Sequence, residues 1–240
     1  MSLHRTRILA RTALSRVREE GDRRAAGEID VQLTVRKPDG DSARGMKIQD
    51  LLDEAIPLDG VAGHCTACPA RLSAEFACHR RIRYPIAERV EEWMMARLPR
   101  TLDCTAGALL ARGLGEFGWD GEPVARLRAH GSTFFESRAP YGVRWEAEGE
   151  KLEISSDQIF QMMFMVGDLA PTHSLMLALF CGVIPHDISL QELKDRKGRM
   201  RALEAAAIPA QADPEIEQLA AFLRTLAIAA RLEVAIVIDG

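Results

Sequence analysis

The chain has 240 residues, of which 47% are hydrophobic and 28% charged, with a formal net charge of −4. That is enough to bury a substantial core, and the acidic balance argues against a nucleic-acid binder over the whole surface. The opening residues, MSLHRTRILARTALSRVREE, lack the apolar core of a signal peptide because Arg5, Arg7 and Arg11 interrupt it.

No run of about eighteen apolar residues occurs, so no membrane span is expected. The nearest stretch, 159–185, is broken by Asp168, Pro171 and His173 and reads as two short buried helices. Without an export signal, the expectation is a cytoplasmic chain with reduced thiols. Five cysteines, an odd number, point away from a disulfide framework and towards metal ligands or free thiols.

Residues 3–20 have the spacing of an amphipathic helix, broken by GDRRAAG at 21–27. Within 28–40, Ile29, Val31, Leu33 and Val35 alternate with polar residues, the period of a half-buried strand, and Pro38-Asp39-Gly40 closes it with turn chemistry. Residues 46–56 read as a short helix, and the cysteine segment follows as a loop. Pro85 then stands where a helix favours proline, and Ile86, Val90, Trp93, Met94 and Leu98 keep helical spacing opposite Glu88, Arg89, Glu91 and Glu92. Thr101 or Asp103 is placed to cap a helix over 103–116. The pattern over 124–138 yields no assignment.

YGVRWEAEGEKLEIS at 141–155 predicts a β-hairpin, with Ser155 or Ser156 capping a helix that runs to Val166. Helices are expected over 173–183 and 191–207, although Gly198 weakens the second. Asp213-Pro214-Glu215 opens the last helix with a cap, a first-turn proline and acidic residues at the positive end of the dipole. LEVAIVID at 232–239 reads as a central strand. The expectation is one helix-dominated α+β domain over 1–240, with a small mixed or antiparallel sheet. Its strands would lie near 29–37, 141–147, 151–155 and 232–239, and it would carry a metal-binding cysteine loop at 63–83.

That loop, GHCTACPARLSAEFACHRRIRYPI, carries the chemistry. Cys65 and Cys68 stand as C-x2-C, and nine residues separate Cys68 from Cys78. A C-x2-C turn sets two thiolates on one side of a tight loop, where they can share a tetrahedral ion, and Cys78 returns as a third. The fourth donor is Cys104, His79 or His64. Cys104 opens a predicted helix, where the dipole favours a thiolate. Ligand neighbours tend to point away, which counts against the two histidines.

Zinc is the first expectation. Pro69 after Cys68 suits an iron–sulfur loop equally, so a cluster is the alternative. Four protein ligands would make the site structural, whereas three would leave a position open for activated water, with Glu75 the one carboxylate inside the loop. Arg71, Arg80, Arg81 and Arg83 face Glu75 alone in this region, and the first 24 residues hold seven arginines against Glu19, Glu20 and Asp22. Such patches are usually solvated faces; a phosphate track along Arg80, Arg81 and Arg83 is the alternative.

Other candidates read as structure. Cys181 lies in the apolar LALFCGVI, eight residues from His173 and about 12 Å along a helix axis, too far for a nucleophile–base pair. Asp168 and His173 flank a proline turn, Met162, Met163, Met165 and Met176 read as core rather than a binding groove, and His186-Asp187 reads as turn chemistry. The phosphate-binding glycine fingerprints and the motifs H-E-x-x-H and G-x-S-x-G are absent. No catalytic set assembles, so the first expectation is a zinc-binding module for a protein partner, with an iron–sulfur protein of redox or sensing role and a nucleic-acid-associated metal-binding module as the alternatives.

Overall fold

The computed structural model describes residues 82–147 and 150–238, with the backbone of 32–35 and 44–47. The chain divides into two compact units, Met1–His79 and Arg80–Gly240. In the first, β1 (Gln32–Val35) pairs antiparallel with β2 (Arg44–Lys47), with Gln32 opposite Lys47 and Val35 opposite Arg44. The alternating segment therefore does form a strand. Its partner takes Met46 and Lys47 from the start of the expected 46–56 helix; the rest of that helix, and the helix over 3–20, lie outside the described residues.

The second unit is helical. In chain order it contains α1 (Glu88–Met95), α2 (Thr105–Phe117), α3 (Glu122–Ala129), α4 (Ser156–Phe164) and α5 (Pro171–Phe180). There follow α6 (Leu190–Lys194), α7 (Arg196–Ala205) and α8 (Pro214–Leu232). Its strands are β3 (Gly142–Ala147), β4 (Glu150–Ser155), β5 (Asp168–Leu169) and β6 (Ile236–Val237). Helices thus dominate, and the strands pair only antiparallel, β3 with β4 and β5 with β6.

The expected single sheet is instead a set of separate two-stranded ribbons among the described residues. LEVAIVID is not a central strand. Helix α8 runs to Leu232, Glu233 turns it off in the left-handed region at φ 55°, and only Ile236 and Val237 pair, with Leu169 and Asp168.

Helix α8 is the centre of the unit. Leu219 through Leu223 are buried consecutively, followed by Leu226, Ala227, Ala229 and Ala230, so the helix is covered on nearly every side. A polar stripe as expected of a surface helix is therefore narrow here. Helix α5 packs against it, and its Leu177, Ala178 and Leu179 are fully buried. Met94, Met162 and Met163 are also fully buried, so the methionines act as gap-filling core, with Met165 half exposed. Cys181 is buried among them, its thiol pushed up to about 12 by burial.

The caps at Ser155 and Asp213 form as expected, and one at Asp195 was not foreseen. Ser155 accepts from Gln158 N while the Gln158 side chain accepts from Ser155 N, a reciprocal capping box that fixes the hairpin-to-helix corner. Asp213 accepts from Glu215 N and Ile216 N at the start of α8. Asp195 ends α6 and caps α7, splitting the single helix expected over 191–207. In the hairpin, Trp145 faces Leu152 and Val143 faces Ile154, as alternation requires.

Helix α1 starts later than Pro85 suggested. Ile86 is taken by a bridge to Phe135: its N–H donates to Phe134 O at 2.8 Å, and its carbonyl accepts from Glu136 N at 3.0 Å. With those groups engaged, the helix opens only after Ala87.

Candidate functional site

Cys65, Cys68, Cys78, His79, His64, Glu75, Arg80 and Arg81 lie outside the described residues. Among the described residues no group of three His, Cys, Asp or Glu side chains is placed to hold a metal ion. Cys104 is described, and it takes the capping role expected of Thr101 or Asp103. It is the N-cap of α2, half-buried, with its backbone extended at φ −91° and ψ 159°. Its sulfur accepts from Gly107 N at 3.3 Å and its thiol faces Thr101 O at 3.5 Å. A thiol in this geometry sits at the positive end of a helix dipole and uses one lone pair on the backbone.

The turn before it is tight. Thr101 Oγ1 accepts from Asp103 N at 3.1 Å and donates to Asp103 Oδ2 at 2.9 Å. Gly107 passes so close that a Cβ there would stand 2.0 Å from Thr101 O. Glycine is what lets the sulfur reach the helix end.

The residues that follow the cysteine segment in sequence form one wall of a cleft of about 260 Å³. Tyr84, Phe160, Phe164 and Leu219 give it an apolar lining, and Glu136 and Glu215 stand at its edge. Arg83 N donates to Gln218 Oε1 at 2.9 Å, tying this wall to α8. Tyr84, half exposed at the mouth, meets Phe134 edge-on at 5.4 Å, and its hydroxyl is held above its ordinary pKa by burial. Arg89 bridges Asp213 and Glu215 beside the cleft, at 2.7 and 2.9 Å.

Sequence reasoning missed a buried ion cluster. Arg128, on the segment left unassigned, donates through Nη1 and Nη2 to both oxygens of Glu91 at 2.9 and 2.7 Å. Its Nε and Nη2 reach Asp157 Oδ1 at 3.1 and 2.6 Å, and its guanidinium covers the Phe135 ring at 4.2 Å. Ser156 donates to Glu91 at 2.7 Å and accepts from Tyr141 N at 3.1 Å. All four polar residues are at most 4% exposed.

Burial alone would lower the Arg128 pKa, but the hydrogen bonds it donates to Glu91 and Asp157 outweigh it and hold the guanidinium charged. No ligand can reach this cluster, so its role is to fasten α1, α3 and α4 together at the hairpin. Helical periodicity placed Glu91 on the polar face; it is instead 1% exposed, because Arg128 meets it inside.

The remaining polar candidates are structural. His173 does not meet Asp168, which is exposed on β5; it stacks on Trp119 at 5.5 Å, and Trp119 in turn lies 4.9 Å from Phe117. His186 sits in the turn after α5, where its carbonyl accepts from Ala106 N at 3.0 Å. The Nε2 atoms of His173 and His186 are buried without a partner among the described residues. Burial holds both imidazoles below their ordinary value of 6.5.

A depressed folded pKa means that the unfolded chain takes up protons first on acidification. The two histidines therefore cost no stability above pH 6.5, and cost progressively more as pH falls below it towards their folded values. The urea midpoint should fall from pH 7 to pH 5.5, and His173→Gln with His186→Gln should flatten that fall. An unchanged slope in the double variant would remove these two groups as its source.

No protein-family model matches the chain, and it has no match among curated proteins or among solved structures.

Proposed function

We propose that Cys65, Cys68 and Cys78 bind one zinc ion, with Cys104 or His79 as the fourth donor, and that the chain is a cytoplasmic regulatory module that engages a protein partner. The observation that carries the reading is the placement of three of the five cysteines within fourteen residues, two of them as C-x2-C, in a stretch that continues into Arg80, Arg81 and Arg83. Thiols used merely as small core hydrophobes would be set among apolar residues, as Cys181 is. Cys104 suits a ligand role because its half-buried sulfur already sits at the N-terminal end of α2.

Four protein donors leave no open position on the ion. The metal then stabilises the loop, because binding to the folded state alone contributes folding free energy. Partner recognition, rather than reaction chemistry, is the use that fits such a site.

The test is zinc content on the full chain and its variants. Cys65→Ser with Cys68→Ser should take the protein from one zinc per chain to none. Cys104→Ala and His79→Ala, made separately, identify the fourth donor by which one weakens zinc retention against a chelator. A double serine variant that keeps its full zinc would refute the assignment. An iron-containing brown protein, absorbing near 400 nm after anaerobic isolation, would replace zinc by an iron–sulfur cluster on the same sulfurs.

A further inference from the structure

We infer that the cleft between residues 82–87 and the first turns of α8 is the docking site for the partner: it takes one large apolar side chain from a segment that also carries Lys or Arg. This deepens the proposed protein-interaction role and rests on it, but not on the metal. At about 260 Å³ the cleft falls below the roughly 300–1,000 Å³ of small-molecule and cofactor sites, and it suits a side chain better than a whole ligand.

Its floor is Phe160 and Leu219, at 1% and 2% exposure, with Phe164 beside them. An anchor residue entering it would be desolvated on an apolar base. Tyr84 stands over the mouth at 51% exposure, one of few large apolar side chains so open among the described residues. Exposed aromatics beside a desolvated pocket are where binding energy concentrates.

Charge sets the sign of the partner. Glu136 and Glu215 line the edge, with Glu88 and Asp213 next to them, against Arg83 and Arg89. Arg89 is already engaged by Asp213 and Glu215, and Glu136 also receives Glu88 N at 3.3 Å. Among the described residues, Arg83 is the one cation lining the cleft, against Glu136 and Glu215, so that lining is net acidic. A segment bearing Lys or Arg beside its anchor complements it, and an acidic segment does not.

The experiment selects peptides from a random twelve-residue phage library on the full chain at low salt. The selected sequence, made with a fluorescein label, is then measured by anisotropy. The expected consensus has one Phe, Trp, Leu or Met with at least two Lys or Arg. Tyr84→Ala should weaken that peptide by about tenfold. Arg83→Ala should strengthen it, by roughly threefold, because it removes a like charge.

Opposite signs from adjacent exposed residues are not what a loss of folding would give. Selected peptides without basic residues, or a peptide whose affinity ignores both variants, would overturn the inference. Zinc content measured on the same samples separates this outcome from failure of the metal assignment.

Discussion

Replacing Arg128 with methionine is expected to cost about 3–5 kcal/mol, the usual penalty for leaving buried charge without its partner. Glu91 and Asp157 would remain in the interior, at 1% and 4% exposure, with Ser156 still donating to Glu91 but not to Asp157. For a unit of this size the thermal midpoint should fall by roughly 6–20 °C. Adding Glu91→Gln and Asp157→Asn should recover part of the loss, because neutral amides need no counter-charge. Thermal melts of the single and triple variants check both statements. A single variant that melts within a degree of the parent would show that the cluster does not hold the helices.

Gly107→Ala should be the next most damaging change, at about 3 kcal/mol, the upper end of overpacking costs. The added Cβ would stand 2.0 Å from the Thr101 carbonyl oxygen, a backbone atom that cannot swing away as a side chain can. Either α2 or the 101–104 turn has to move. Both movements pull Gly107 N from the Cys104 sulfur, so the cap is lost along with the packing. Urea denaturation of Gly107→Ala, with Gly115→Ala as a control in open space on the same helix, measures it. The control should be neutral or slightly stabilising, because alanine is the better helix former. Equal effects at the two positions would contradict the close approach.

The legible parts of the fold were those written in local chemistry. A serine cap at 155 or 156, Asp213 with Pro214, and the alternation from Val143 to Ile154 each state their element within a few residues, and each forms where the pattern put it. Pairing across the chain was not legible. Residues 168–169 carry no strand signature of their own, and they pair only because α5 and α8 bring Ile236 and Val237 beside them. The 191–207 helix breaks at Asp195 rather than at Gly198. That glycine is instead the close-contact point, where a Cβ would come within 2.7 Å of Glu192 O.

The Arg128 cluster was hidden for a different reason. Charged residues at helical spacing normally mark solvent, and nothing in the one-dimensional pattern says that Glu91 will find an arginine 37 positions away. For the candidate site, residue types and spacing around Cys65–Cys78 are the ground of the proposed metal, while the Cys104 cap needed coordinates. Asp103 and Thr101 are the conventional capping residues, and they turn out to stabilise each other instead.

The most direct test of the metal assignment is metal content measured on the 240-residue chain isolated anaerobically without added ions. The assignment predicts one metal ion per chain, zinc first, lost when Cys65 and Cys68 are replaced. A fully folded chain carrying no zinc and no iron would contradict it.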